Sequence, residues 1–596
     1  MKNISIPNIG QWLVGLFLLM GLLPAARAQA PAWQTAVVTD QVGMPHFSEV
    51  SASTTDASGN VYLVGLYAGT TSFGATTLTG TGSFPNIFVA KWSAASQGFL
   101  WAVKAGGDGF YGNYVNSIAV SGTNVYISGI VSGSATFGSF LLSGTNYTTT
   151  SFIAKLSDAG TSASFGWVQP GVGASALATS GTSVYVAGSF AQTLTLGSTV
   201  LANGNQLGNG YVAKFTDTGT GAAFGWAKQC GSLDFGRLTA LSVNGTNVYV
   251  TGYFYSSTAP FDAITLTNMA PFSIYREPRC DAFVAKLTDA GPSASFVWAQ
   301  QVRGMGHDRI LAMAVSGPSV YVAGYYGSNF TSAQGPENPP VSLGTISIAN
   351  TGYYDAFVAK ITDAGASSSF AWAQRAGGTG MDSATAVTVR GNSVYVAGAY
   401  NSGQADFGAT TLSNAAGTTG YFLRDIFLTK LVDAGATSSF AWAQQAGGAG
   451  GDYATSMGLA GTSIVVAGAV GPSASFSTQA INTASNQSTN NQVGFLAFLL
   501  DPTLLATAAA QGSLRFSLAP NPARTAATVQ LPAVPGAPTA TLTLTDALGR
   551  TLRTETLPLP AAGLRHELAL NGLAPGFYVL HVRAGDATAT RQLAVE

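Results

Sequence analysis

Residues 281–301 read DAFVAKLTDAGPSASFVWAQQ. The text alternates over short stretches and is rich in β-branched and aromatic residues on either side of a turn, which predicts two β-strands. Asp289-Ala290-Gly291 suits the turn between them. Closely similar text returns as DAFVAKITDAGASSSFAWAQR at 355–375 and as DIFLTKLVDAGATSSFAWAQQ at 425–445. Repetition at such a period predicts a repeat architecture.

Working outward, the frame extends over most of the chain. Seven tryptophans keep it: Trp33, Trp101, Trp167, Trp226, Trp298, Trp372 and Trp442, while Trp12 and Trp92 fall outside. A V-Y-V-x-G phrase recurs around Tyr62, Tyr126, Tyr185, Tyr249, Tyr321 and Tyr395, and the seventh copy has Val465 instead. An F-V-A-K phrase recurs at Lys91, Lys155, Lys214, Lys286, Lys360 and Lys430, with Phe498 at the seventh position. Each unit therefore predicts four strands, a to d, with Tyr on b, Lys on c and Trp on d. An F-G-x-x-x-L phrase between b and c suggests a short excursion. Ala32-Trp33-Gln34 precedes the first a strand and would supply strand d to the last unit. The expected fold class is all-β: a seven-bladed β-propeller over 31–508, closed by an N-terminal strand.

The Tyr, Lys and Trp phrases resemble the bacterial beta-propeller repeat family labelled SBBP, on GNVYLVG at 59–65, DAFVAKL at 281–287 and AGGxG at 376–380 and 446–450. That resemblance speaks to fold and not to ligand. The D-A-G-x-S-x-S-F-x-W text also resembles the docking phrase of quinoprotein-type propellers, but those typically have eight blades. The regular tryptophans are assigned to packing between blades, since a buried Trp covers about 150–250 Å².

Both ends of the chain carry addresses. Lys2, an apolar run from Trp12 to Leu23 and Ala26-Arg27-Ala28 make residues 1–28 a secretory signal peptide. The run is too short to span a bilayer, which needs about 20 residues, so no transmembrane span is expected in the mature chain. Residues 502–513 read as a linker. The stretch 514–596 resembles the type A C-terminal sorting domain of type IX secretion, on APNPA at 519–523, LTDALGR at 544–550 and LNGLAPGFYVLHV at 570–582. The resemblance implies a small Ig-like β-sandwich, a Bacteroidota-type host, the type IX machinery as partner, and an extracellular or outer-membrane surface location.

Net charge is −1, so no basic field points to nucleic acid. No nucleophile–base pair, HExxH, CxxC pair or phosphate loop appears, so no catalytic residue and no metal ligand is assigned. No cofactor is expected. AGGAGGD at 446–452 resembles a single calcium nonapeptide, which leaves calcium open; Asp308, Asp382 and Asp452 read as loop-ordering groups. Asp281, Asp355 and Asp425, with Asn86 and Asn209, read as Asx turns. His46 and His307 read as solvated loop residues.

Variation concentrates where strands b and c connect in units four to six. With strands alternating in direction, those connections share a face with the d–a loops. Loops of this kind carry function. Tyr275, Arg276, Arg279, Arg303, His307, Tyr325, Phe330, Tyr421 and Arg424 are the candidate ligand-binding residues, Tyr and Arg being frequent at binding hot spots. Cys230 and Cys280 end up on this face in adjacent units, and a disulfide between them is expected in an oxidising compartment. The function expected is non-enzymatic binding of a surface glycan or protein, adhesion included. The alternatives are a carbohydrate-active enzyme, with Glu277 and Glu337 as carboxylates, and a structural surface component.

Overall fold

The computed structural model describes residues 30–504 and 516–595 apart from short internal stretches, the longest being 270–278, 328–339, 416–422 and 482–491. The expected signal peptide, 1–28, lies outside the described residues, as does the stretch 505–513 of the expected linker. The chain divides into two units, Met1–Asp501 and Pro502–Glu596. All named elements are β-strands.

The sequence frame maps onto sheets of one pattern. In the fourth repeat, Arg237–Asn244, Asn247–Phe254, Asp281–Asp289 and Ala294–Arg303 pair in chain order, each antiparallel to the next. Among the described residues the same a-b-c-d order occurs seven times. Strand c is buried on both faces; Ala282, Phe283, Val284 and Ala285 are all fully enclosed. That explains its near-continuous apolar text. Strand b bears a glycine against the neighbouring a strand: a Cβ on Gly324 would lie 1.9 Å from the Arg309 carbonyl oxygen. The glycine is there for a close approach of two backbones.

The predicted excursion is a hairpin that leaves its own repeat. Ala135–Phe137, from the second repeat, pairs with Ala105–Gly107 at the outer edge of the first. Val341–Leu343 and Gln404–Phe407 dock likewise on the d strands of the fourth and fifth repeats. Each covers part of an edge that would otherwise expose unpaired backbone groups.

Consecutive a strands pack side by side, and a hydrogen bond links several of these steps. Thr239 Oγ1 donates to the Ile310 carbonyl, and Thr385 Oγ1 to that of Ala454, both at 2.7 Å. Thr455 Oγ1 makes the same bond to Val50 O at 2.7 Å, from the last repeat to the first. Ser53 Oγ and Ser456 Oγ meet there at 2.7 Å. The last sheet takes its outer strand from the N-terminus: Trp33–Val38 pairs antiparallel with Val493–Leu500.

That N-terminal strand departs from expectation in register. In the fourth repeat Lys286 faces Trp298 and Leu287 faces Phe296. In the last, Phe498 faces Thr35 and Leu499 faces Trp33. Trp33 thus occupies the phenylalanine position, and its ring meets Phe476 edge-on at 5.2 Å, as Phe296 meets Phe261. Six tryptophans are equivalent; the seventh is two residues out of step.

The C-terminal unit holds sheets of three and four strands around one core. Gly576–Ala584 alternates, burying Tyr578, Leu580, Val582 and Ala584. Val529 and Leu568 from the other sheet join the same core.

Candidate functional site

The repeated Tyr, Lys and Trp converge on one carboxylate. Tyr249 OH, Lys286 Nζ and Trp298 Nε1 all donate to Asp363 of the following repeat, at 2.7, 2.6 and 3.1 Å. Asp363 is the aspartate of the D-A-G turn, and the Gly365 N–H completes its shell at 2.9 Å. Lys–Asp bridges of this kind join Lys91–Asp158, Lys155–Asp217, Lys214–Asp289, Lys286–Asp363, Lys360–Asp433 and Lys430–Asp501. Burial opposes ionisation of Asp217, but bonds from Lys155, Tyr126, Gly219 and Trp167 outweigh it and hold its carboxyl down at about 2. These groups are internal joints with their hydrogen bonds already made, so they are not a ligand site.

At the opposite end of the strands lie paired acids. Asp382 accepts hydrogen bonds from the N–H groups of Gly378, Asn401 and Ser402, which ties two loops together as expected. Asp452 does the same for Gly448 and Gly471. Asp281, Asp355 and Asp425 are not Asx turns. They accept the N–H of Met269, Thr351 and Ala415, each earlier in the chain, because the b–c connection folds back over strand c. Burial pushes Asp281, Asp355 and Asp425 up to about 6. Burial, then the nearby Asp425 charge, pushes Asp452 up to about 7. No group of three or more His, Cys, Asp or Glu residues that could hold a metal ion occurs among the described residues.

The expected binding residues divide. Tyr275, Arg276, Phe330 and Tyr421 lie outside the described residues. Arg279 donates to the Met305 carbonyl. His307 is buried rather than solvated, because its backbone N–H is tied to Gly327 O at 2.6 Å and its ring packs on Tyr255. Burial, then the charges of Arg309 and Arg279, lowers its pKa to about 4. Tyr325 flanks Arg309 in the same cluster. Arg303 is exposed on strand d. Arg424 stands apart, its carbonyl accepting the Asp452 N–H.

The disulfide is not formed. Cys230 and Cys280 are both free and buried. They lie in different cores: Cys230 packs with Trp226 and Phe283, whereas Cys280 packs with Tyr253 and Trp298. Cys280 Sγ sits 3.7 Å from His307 Nδ1 instead. Burial raises the Cys280 thiol to about 12.

A more complete site stands in the first two repeats, where the sequence text drew no attention. Phe110, Tyr111, Tyr114 and Tyr147 are more than half exposed. Phe110 is the hub, with ring centroids 5.9 Å from Phe84, 5.6 Å from Tyr111 and 5.9 Å from Tyr147. Asn113 holds this platform from below. Its amide donates to Pro85 O and Gly107 O and accepts from the Gly107 N–H. Asn113 thus does the work of Asp382, but it falls twelve residues after Trp101, where Asp382 falls ten after Trp372. The two extra residues are accommodated in the loop that carries Phe110 and Tyr111 outward. A Cβ on Gly109 would lie 2.4 Å from Gly133 N, so only glycine lets the two loops interlock. Tyr114 also borders a cavity of about 390 Å³ with Asn116, Ser175, Ser189 and Arg237. The available signal was the shifted spacing and the run FYGNY at 110–114.

A known family accounts for the C-terminal unit. Residues 517–596 match the family Secretion system C-terminal sorting domain. The chain carries a type IX sorting domain. It is therefore exported to the cell surface or the extracellular space, and the sorting domain implies interaction with the type IX machinery. No curated protein matches the chain. Among solved structures, dimeric latent PorU from Porphyromonas gingivalis is 9% identical with a TM-score of 0.12; the match covers 81% of this chain and 32% of that one. The N-terminal eight Ig domains of Down Syndrome Cell Adhesion Molecule are 8% identical with a TM-score of 0.12, over 86% of this chain and 90% of that one. This chain thus spans about a third of the length of PorU, and neither likeness carries an argument about its fold. No helix among the described residues is long and apolar enough to cross a membrane.

Proposed function

We propose that residues 31–508 form a seven-bladed β-propeller of the SBBP repeat type, displayed at the surface or secreted to bind a glycan without catalysis. The seven-fold a-b-c-d order and the Thr455–Val50 bond from last repeat to first support the ring. In this reading residues 1–28 direct export and are removed, 502–513 link the domains, and the protein needs no cofactor.

The observation that carries the glycan reading is the platform of Phe84, Phe110, Tyr111 and Tyr147. Exposed contiguous aromatic surface marks an interaction site. Sugar rings present C–H faces that stack on aromatic rings and hydroxyls that need polar partners. Asn116, Ser175 and Ser189 in the cavity that Tyr114 borders are such partners. The test is a glycan array with the mature chain, repeated with Phe110→Ala/Tyr147→Ala. The expected outcome is a set of bound glycans lost in the variant. Identical profiles for the two proteins would overturn the reading.

A further inference from the structure

We infer that the glycan is acidic, its carboxylate or sulfate group received by Arg237 with Arg309 behind it. This rests on the glycan reading above and names the class of ligand for that site.

Arg237 opens the a strand of the fourth repeat and borders the same cavity as Tyr114, which follows the platform residues Phe110 and Tyr111 by three or four positions in the chain. It is exposed, and no ion pair reaches it among the described residues. Its strand partner is Tyr253. The Arg309 guanidinium lies over that same ring, 4.4 Å from its centroid. Arg309 thus stands one tyrosine away from the strand position of Arg237.

Arg309 is unusual in its surroundings. Its Nη2 donates to Tyr255 OH at 2.7 Å, and a second ring, Tyr325, stands 5.8 Å away. Its Nε is buried without a hydrogen-bond partner. The groups packed around it are Tyr253, Tyr255, Tyr325, Cys280 and His307. Burial keeps Tyr255, Tyr325 and the Cys280 thiol protonated, and His307 is neutral above about pH 4. No carboxylate is salt-bridged to this guanidinium among the described residues. A partly buried cation facing only neutral groups favours any anion that can approach it. The six joint lysines, by contrast, each have their aspartate.

The chemistry fits one ligand shape. Neutral faces of a saccharide chain stack on Tyr147, Phe110 and Tyr111. The chain then passes Tyr114 into the cavity, where its anionic substituent meets Arg237. Carboxylate and sulfate both offer oxygens to a guanidinium fork.

Calorimetry with the full mature chain tests this. The probes are oligogalacturonate against its methyl ester, and a sulfated galactan oligosaccharide against its desulfated form. The charged member of at least one pair should bind about tenfold tighter at low ionic strength, with the preference shrinking as salt screens it. Which pair responds tells carboxylate from sulfate. Arg237→Gln should bring the two members to equal affinity, whereas Phe110→Ala should weaken both. Equal binding of charged and neutral forms overturns the acidic assignment and leaves the platform standing. A preference that survives Arg237→Gln overturns the assignment to this arginine. Failure of all four probes and of the glycan array overturns the platform reading and this inference with it.

Discussion

Six boundaries between repeats carry a Tyr–Lys–Trp–Asp set, and the seventh has lost all four members. Between the last repeat and the first, Val465 stands at the tyrosine position, Phe498 at the lysine, Thr35 at the tryptophan and Ala94 at the aspartate. Trp92 fills the gap, its ring 5.8 Å from that of Phe498 within one apolar cluster. The four changes make sense only together. A buried Lys without its Asp, or the reverse, leaves an uncompensated charge, while an apolar set of similar volume is often as stable as the ion pair. The comparison teaches that the set is one unit of design, exchangeable as a whole and not by parts. It also fits the seam's construction, because strand d arrives there from the distant N-terminus.

The largest expected effect comes from breaking one polar joint. Asp363→Ala strands Lys286, whose side chain is only 5% exposed, and should cost about 3–5 kcal/mol. Denaturant titration of the mature chain checks this; a loss under about 1 kcal/mol would mean the joint is not a charged unit.

Introducing a charge at the apolar seam should be costly in the mirror sense. Ala94→Asp and Phe498→Lys each destabilise, and the double variant should cost about 1–3 kcal/mol less than their sum. Strict additivity would show that the two positions are not the seventh copy of the joint.

A pH series separates the two ends of the strands. The joint aspartates have depressed pKa values, so their contribution is present above about pH 4 and fades as pH falls toward 2. Asp281, Asp355, Asp425 and Asp452 have raised values, so the native state holds extra protons between about pH 4 and 7, and their contribution is lost as pH rises through 6 to 7. Melting temperature should therefore peak on the acid side, near about pH 4–5. A peak above pH 7 would contradict the raised acids.

The smallest expected effect on stability is at the platform. Tyr147 is 72% exposed, and Tyr147→Ala should change stability by no more than about 0.5 kcal/mol while weakening glycan binding. A large loss of stability would make the ring a structural element.

The repeat frame was legible because strand text and turn text recur in order, and Val465 and Phe498 were visible as departures. What they departed from was not, since the D-A-G aspartate meets its Lys, Tyr and Trp only across a boundary between repeats. Trp33 was miscounted because composition does not reveal register: the last repeat has its bulge where the others do, and the tryptophan falls two residues earlier on the strand. The disulfide failed for a similar reason: proximity along one face says nothing about which side of a sheet a side chain takes. The platform was missed because Asn113 stands in for an aspartate and its loop is longer by two residues, so the repeat frame skipped over it.

The central claim is that the last repeat packs against the first. Ser53 and Ser456, 403 positions apart in the chain, have hydroxyl oxygens 2.7 Å apart, which brings their Cβ atoms near the separation a disulfide needs. The mature Ser53→Cys/Ser456→Cys variant should oxidise to a fast-migrating monomer on non-reducing gels. After denaturation without reductant it should show only the two thiols of Cys230 and Cys280. Four titratable thiols, or cross-linked dimers in place of the compact monomer, would contradict the ring.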